Sequence, residues 1–402
     1  MKDHKQNLHC VYLFKEAQKC YAKLMNSYEK TEKWLMTSGF FVSDINNKHR
    51  GGVYSFYDEK SNEFSFLYPE ITGYFISTMK FLNSIHDNKK YSDYAKISSD
   101  WLIKIFKKYG SIVQGIKFDK PVSNLSYSFD LSICAKGLLD YYEISNDEYY
   151  LNYAKEFLKI LSTEFLESDG SLMPYKDVNT NLVNQSNDMW YKQKGCLHIK
   201  SAIPFFQISQ YSEEEEFLKT AINICNKISD FQNLDGSIRL HQRSNVINLH
   251  TMCYALEGLV YGYYVTKNEN YLESIEKAID WSIDQILEDG SINLWHNSKY
   301  TSKSAYPIAQ IIRILILVDK IYSNMKFKSY VTRLYNFLIT LQGSTDSSKI
   351  NGGFYEEFYK SIFGWKKRPR INSWTSMFAL QAMNWYHEYD KIKFEEQIKF
   401  LY

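Results

Sequence analysis

Two kinds of helical segment alternate along the chain. EEFLKTAINICNKISDFQ sets Phe217, Ala221, Ile224, Cys225, Ile228 and Phe231 at helical spacing, one apolar stripe on a polar surface. Such a helix covers a core on one side and meets water on the other. YPIAQIIRILILVDKIY is apolar nearly all round, which predicts a helix surrounded by protein. Alternation of the two types predicts two concentric layers of helices. The period of two expected of strands occurs only in loop segments such as SIRLH and GGVYSFYD.

Punctuation repeats on the same scale. Gly52, Gly110, Gly170, Gly236, Gly290 and Gly353, each followed by Ser or an apolar residue, recur at intervals of 54 to 66 residues. Asp169, Asp235 and Asp289 begin a full Asp-Gly-Ser. Midway between glycines, DNKKYSDYAK, NDEYYLNYAK and KNENYLESIEKA put Tyr91, Tyr150 and Tyr271 in equivalent places after Asp or Asn. Asp and Asn start helices because their side chains accept hydrogen bonds from free backbone N–H groups. A period of this length marks a repeat architecture. Six units of helix, turn, helix and long glycine-bearing loop predict an all-α fold, an (α/α)6 toroid of about twelve helices. The expectation is one domain over residues 1–402, with residues 1–40 as the N-terminal outer helix that closes the ring. The 402 residues exceed the usual size of a single core, but each hairpin of a ring packs mainly on its neighbours.

Composition narrows the functional classes. The net charge of +2 comes from interspersed acids and bases, without the clustered basic face that nucleic acid requires. The longest apolar run, IIRILILV, is interrupted by Arg313 and is too short to span a membrane. MKDHKQNLHCVYLFKEAQKC is too charged for a signal peptide, and six scattered cysteines read as reduced thiols; the expected location is cytoplasmic.

The long loops all precede the fully apolar helices, so loops and helix N-termini gather at one end of the ring. Helix N-termini favour anionic groups and ligands. Glu70 in YPEITGY and Asp130 in SYSFDLS stand there as a candidate acid/base pair, since glycoside cleavage commonly uses two carboxyls flanking the scissile bond. The alternative is that each only caps its helix. His198 in KGCLHIK and His250 in NLHTMCYALEG lie at matching depths and are candidates for proton transfer, or else hydrogen-bonded core histidines. Cys196-x-His198 and His250-x-x-Cys253 have metal-ligand character but no paired CxxC beside them, so neither a metal nor a cofactor is expected. Tyr306, Gln310 and Arg313 share one helix face. A buried Arg313 needs an acidic partner, either a protein carboxylate such as Glu257, which with Tyr254 continues the face below His250, or a uronic acid of the substrate. Tyr74, Arg243, Trp295, Glu356, Asn372 and Trp374 complete the expected substrate contacts, the indoles being suited to sugar faces.

YPEITGY, KGCLHIK, NLHTMCYALEGLVYG, NGGFYEEFY and INSWTSMFALQAMNWY together resemble the six-hairpin glycosidase superfamily, from about Gly51 to Tyr389. More narrowly, they look like its members encoded among bacterial surface-polysaccharide genes. The superfamily includes glycoside hydrolases, unsaturated glucuronyl hydrolases and sugar 2-epimerases. INSWTSMFALQA is also similar to the helical domain of glucuronyl C5-epimerases, which together with Arg313 suggests an acidic sugar. The resemblance implies a carbohydrate ligand and, first, hydrolysis at Glu70 and Asp130. Epimerisation led by the two histidines is the enzymatic alternative, and a glycan-binding or assembly scaffold the non-catalytic one, because a fold hosts many activities. FQNLDGS and LQGS…NGGF are similar to repeats of triterpene cyclases and prenyltransferase subunits, but the Asp-rich or zinc sites of those enzymes are missing, as are the zinc ligands of lanthionine cyclases.

Overall fold

Residues 27–402 are described by the computed structural model. Helix α1 covers 27–37. There follow α2 (Pro69–His86), α3 (Lys89–Tyr109), α4 (Ser128–Ser145), α5 (Glu148–Ile160), α6 (Ala202–Ile208), α7 (Glu215–Asn226) and α8 (Ile228–Phe231). The chain continues with α9 (Leu249–Thr266), α10 (Glu269–Asp284), α11 (Ala305–Ile321), α12 (Lys328–Ile339), α13 (Ser373–His387) and α14 (Phe394–Gln397). Helices α2, α4, α6, α9, α11 and α13 each pack on the next, and α13 returns to α2, so they form a closed inner ring. Helices α3, α5, α7, α10 and α12 lie outside, each against the inner helix that precedes it. The fold is the (α/α)6 toroid.

The two patterns of apolar residues sort the layers as the chain predicts. In α11 every residue from Ala305 to Asp319 is buried, whereas α7 buries only Phe217, Thr220, Ala221, Ile224 and Cys225. The third inner helix departs from the others: it begins as a 3-10 turn over Cys196–Ser201 and becomes α-helical only at Ala202. Pro204 explains this, because it has no N–H for the Lys200 carbonyl and its ring excludes that oxygen, so an α-helix can start only just before it.

The repeated glycines fasten loops to the outer ring. Gly51, Gly170, Gly236, Gly290 and Gly352 have φ between +82° and +100°. In the first and last units the left-handed residue is therefore one position before the Gly52 and Gly353 of the sequence repeat. A Cβ on Gly51 would stand 2.1 Å from the Ile97 carbonyl oxygen of α3, one on Gly236 2.1 Å from Lys277 O of α10, and one on Gly290 2.3 Å from Arg333 O of α12. Gly352 makes the same contact with Lys30 O of α1, at 2.1 Å. Helix α1 thus receives the loop after α12 as each outer helix receives its own, and Thr31 and Trp34 donate to the Gly352 and Lys349 carbonyls. The part of the expected N-terminal helix before residue 27 lies outside the described residues, as do Cys10 and Cys20. The midway motifs are helix starts: Asn88, Asp147 and Asn268 cap α3, α5 and α10. Their tyrosines reach the preceding outer helices, Tyr91 to Glu32, Tyr150 to Asp100 and Tyr271 to Asn226.

Short strands knit the long loops at one end. Phe56–Asp58 of the first loop pairs antiparallel with Arg370–Asn372 of the last. Ser302–Ser304 pairs with Glu357–Ser361, which forms a hairpin with Gly364–Lys367. At the opposite end the chain terminus fills the ring: Tyr402 is buried and donates to the Met377 carbonyl, and the Phe400 carbonyl accepts from Gln381. No helix among the described residues is long and apolar enough to cross a membrane. Cys134, Cys196, Cys225 and Cys253 are free, buried thiols.

Candidate active site

Inner helices begin at the loop end, and the first turn of each delivers one side chain to a common cavity of about 400 Å³. The six are Glu70, Asp130, His198, His250, Tyr306 and Trp374. Two close backbone approaches bring the chemical groups together. A Cβ on Gly73, one turn below Glu70, would stand 2.7 Å from the Ile133 carbonyl of α4, so α2 and α4 touch where they carry Glu70 and Asp130. A Cβ on Gly258 would stand 2.3 Å from Ile199 O, so α9 presses on the turn that carries His198. Larger side chains would push the pairs apart.

Both carboxyls of the first pair are displaced upward. Burial lifts Glu70 to about 7. Burial lifts Asp130 well above the carboxylate range, with the Glu70 charge adding to the effect. The Tyr68 hydroxyl, just before α2, lies beside both carboxyls and partly offsets the rise. The Asp130 Oδ2 atom is buried without a hydrogen-bond partner among the described residues. Buried polar atoms are nearly always satisfied, so this oxygen is an exception that favours the protonated, uncharged form of Asp130.

The two histidines are held neutral. Burial lowers His198 to about 4, and its Nδ1 lies 3.1 Å from Gly195 O. Burial lowers His250 to about 3, with Lys200 and Arg313 adding to the effect. Its Nδ1 is 2.6 Å from Gln310 Oε1, while Gln310 Nε2 donates to Glu257 at 3.2 Å. The Glu257 carboxylate can only accept here, which orients the Gln310 amide and makes Nδ1 of His250 the protonated ring nitrogen. Nε2 then keeps a lone pair.

Aromatic side chains form much of the remaining wall: Tyr127, Phe129, Trp190, Tyr191 and Tyr254 line the cavity with Tyr306 and Trp374. Glu356 enters from the last loop, its carbonyl accepting from the first N–H of α11. Burial raises Glu356 to about 7, with Glu357 reinforcing the shift. Among the described residues no Lys or Arg lines the cavity.

Several expected contacts do not reach this cavity. Arg313 is fully buried and pairs with Glu257 at 2.6 Å, and Lys200 pairs with the other oxygen of the same carboxylate at 2.6 Å. An internal carboxylate, and no substrate uronate, neutralises the guanidinium, so Arg313, Glu257 and Gln310 are framework beneath the site. Tyr74 is likewise buried below, donating to the Tyr254 hydroxyl at 3.0 Å. Asn372 caps α13 by accepting from Thr375 N, which turns its side chain into the helix end. Arg243 is exposed on a loop that does not contribute it to the lining, and Trp295 belongs to a separate surface groove. Conversely, Tyr68, Tyr127, Trp190 and Tyr191 were not singled out by residue pattern. The adjacent Trp190-Tyr191 pair inside a polar loop was the available signal. Among the described residues no group of three or more His, Cys, Asp or Glu is arranged to hold a metal ion.

No family model matches the chain, and no curated protein matches it. Solved structures do. A cellobiose 2-epimerase from Bacillus thermoamylovorans B4167 superposes with a TM-score of 0.74 at 14% identity, covering 91% of this chain and 99% of the other. A D-mannose isomerase gives 0.71 at 12% identity, with 92% and 97% covered. An unsaturated glucuronyl hydrolase specific for heparin gives 0.68 at 12% identity, with 92% and 99% covered. At these identities the likeness establishes the fold, and over 91% of its length the chain carries the six-hairpin toroid on which these carbohydrate-active enzymes are built.

Proposed function

We propose that this protein is a glycoside hydrolase-like enzyme of polysaccharide metabolism, acting in the cytoplasm on a glycan or glycan precursor. The supporting observation is the Glu70–Asp130 pair: two carboxyls on touching helices, both lining the cavity and both raised. Carboxyls in such a pair titrate together, so one proton is shared across neutral pH. Asp130, the more deeply buried, holds that proton and donates it to the glycosidic oxygen. Glu70 ionises near neutrality and accepts a proton from the attacking water, or attacks the sugar itself. Tyr306 and Trp374 offer ring faces for the sugar. The lining without Lys or Arg suits an uncharged ring at the reacting position.

Epimerisation is the second reading, supported by the two neutral histidines whose Nδ1 atoms are already engaged and by the likeness to a 2-epimerase. Incubating neutral disaccharides with the enzyme in D2O and following them by NMR separates the two. Hydrolysis releases new reducing ends without deuterium on carbon, whereas epimerisation places deuterium on the carbon that inverts. Asp130→Asn should abolish the hydrolytic signal; full turnover by that variant would overturn the assignment.

A further inference from the structure

Next to the cavity mouth, on the outer side of the strand that leads into α11, lies an open groove of about 660 Å³. Its floor and walls include Trp295, Tyr300 and Tyr359, and its cations are Lys299, Lys360 and Arg368. Glu357 also lines it, but Arg368 pairs with that carboxylate at 2.6 Å while its guanidinium stacks 5.4 Å from the Tyr359 ring. Lys360 has no acidic partner among the described residues, and Lys299 meets only the Tyr300 ring, at 6.0 Å. The groove therefore presents aromatic faces beside two uncompensated ammonium groups. The cavity beside it is the reverse: among the described residues its lining holds three carboxyls and no cation, Arg368 reaching Glu356 at 3.9 Å from the groove side.

The two sites are joined through the backbone. Glu356 faces the cavity and the next residue, Glu357, faces the groove. Ser304, which precedes α11 and Tyr306, donates to Glu357 at 3.0 Å. The strand Trp295–His296 pairs with Ile247–Asn248, which leads into α9 and His250. Consecutive residues of one segment, Glu356 and Glu357, thus line the cavity and the groove.

We propose that this groove is a second glycan subsite that holds an anionic sugar residue of the same ligand whose uncharged residue occupies the cavity. Aromatic side chains accept the flat apolar face of a pyranose, and the lysines contact its carboxylate or sulfate. The proposal rests on the carbohydrate reading of the cavity and extends it, because the ligand must carry its negative charge away from the reacting ring.

Binding, rather than turnover, provides the test. Titration calorimetry of the full chain with trigalacturonate, with a neutral cello-oligosaccharide and with inorganic sulfate compares wild type with Lys299→Ala/Lys360→Ala, Trp295→Ala and Lys219→Ala. Trigalacturonate should bind wild type and weaken as salt is added, since exposed charge pairs are screened. The double lysine variant should lose about tenfold in affinity for it and most of the salt dependence. Trp295→Ala should weaken it too, and Lys219→Ala, at an exposed position of the outer helix α7, should leave it unchanged. These side chains are at the surface, so thermal melting should confirm that the variants are folded. Unchanged trigalacturonate affinity in the lysine variant, no binding by wild type, or sulfate binding equal to that of trigalacturonate would each overturn the proposal. If trigalacturonate behaves as expected while no glycan is ever converted, the enzymatic reading fails and the subsite stands. If neutral sugars are hydrolysed while the groove variants bind trigalacturonate like wild type, the reverse holds.

Discussion

Replacing Glu257 by Gln tests the buried charge cluster under the cavity. Glu257 is fully buried and shared by two cations, each at 2.6 Å, Lys200 and Arg313. Gln keeps the shape but leaves both cations without a counter-charge. Breaking a buried pair by removing one partner costs about 3–5 kcal/mol, and here one removal strands two ions. With an unfolding entropy of about 2 cal/mol/K per residue, a chain of this size should melt about 4–6 °C lower. Arg313→Met should cost less, about 2 kcal/mol, since a Glu257–Lys200 pair survives. The pH dependence adds a second signature. Burial, with repulsion from Arg313, already lowers Lys200 to about 8 while Glu257 is present, and removing Glu257 lowers it further. A lysine depressed in the folded state binds fewer protons there than in the unfolded chain between its folded value and its ordinary one. Stability therefore rises with pH across that window. In Glu257→Gln the window opens at lower pH, so its deficit against wild type should shrink between about pH 7 and pH 9.5. Differential scanning calorimetry at both pH values measures this. A variant melting within about 1 °C of wild type at pH 7, or a deficit indifferent to pH, would refute the argument.

Four further outcomes follow from the same structure. Glu70 is raised to about 7, so the folded state binds more protons than the unfolded chain between about 4.5 and 7 and stability falls as pH rises through that range. Glu70→Gln should therefore be more stable than wild type at pH 8, by about 2 kcal/mol, and lose that advantage near pH 4.5, as thermal melts would show. Gly236→Ala forces a left-handed backbone on Ala and drives its Cβ into Lys277 O, for about 3–4 kcal/mol of destabilisation by urea unfolding. Gly110→Ala, with φ +69° but open space, should cost only about 1 kcal/mol in the same assay. Tyr271→Phe removes the 2.9 Å hydrogen bond to Asn226 on α7 and should cost about 1 kcal/mol.

The readable part of this protein was local and periodic. The apolar stripe of α7, the all-round apolar α11, the capping Asp and Asn residues and the recurring glycines each follow from the conformational needs of one short segment. Repeating them six times specifies the toroid. The starts of the inner helices were legible for the same reason, and Glu70, Asp130, His198, His250, Tyr306 and Trp374 do meet at one cavity. Tertiary structure decided which side chains look into the cavity and which lie under it. Gln310 and Arg313 share a helix face with Tyr306, yet they sit deeper, where the ring has narrowed around Glu257 and Lys200. Spacing along a helix gives direction around its axis but not the depth at which neighbouring helices close over it. The opposite sign of the cavity and the groove beside it was equally invisible, because adjacent Glu356 and Glu357 line different sites. The chain alone determines that a ring forms and which helix ends meet at its mouth. Only the packed structure, through close contacts such as Gly73 on Ile133, decides which charges end up neutralised inside and which remain for a ligand.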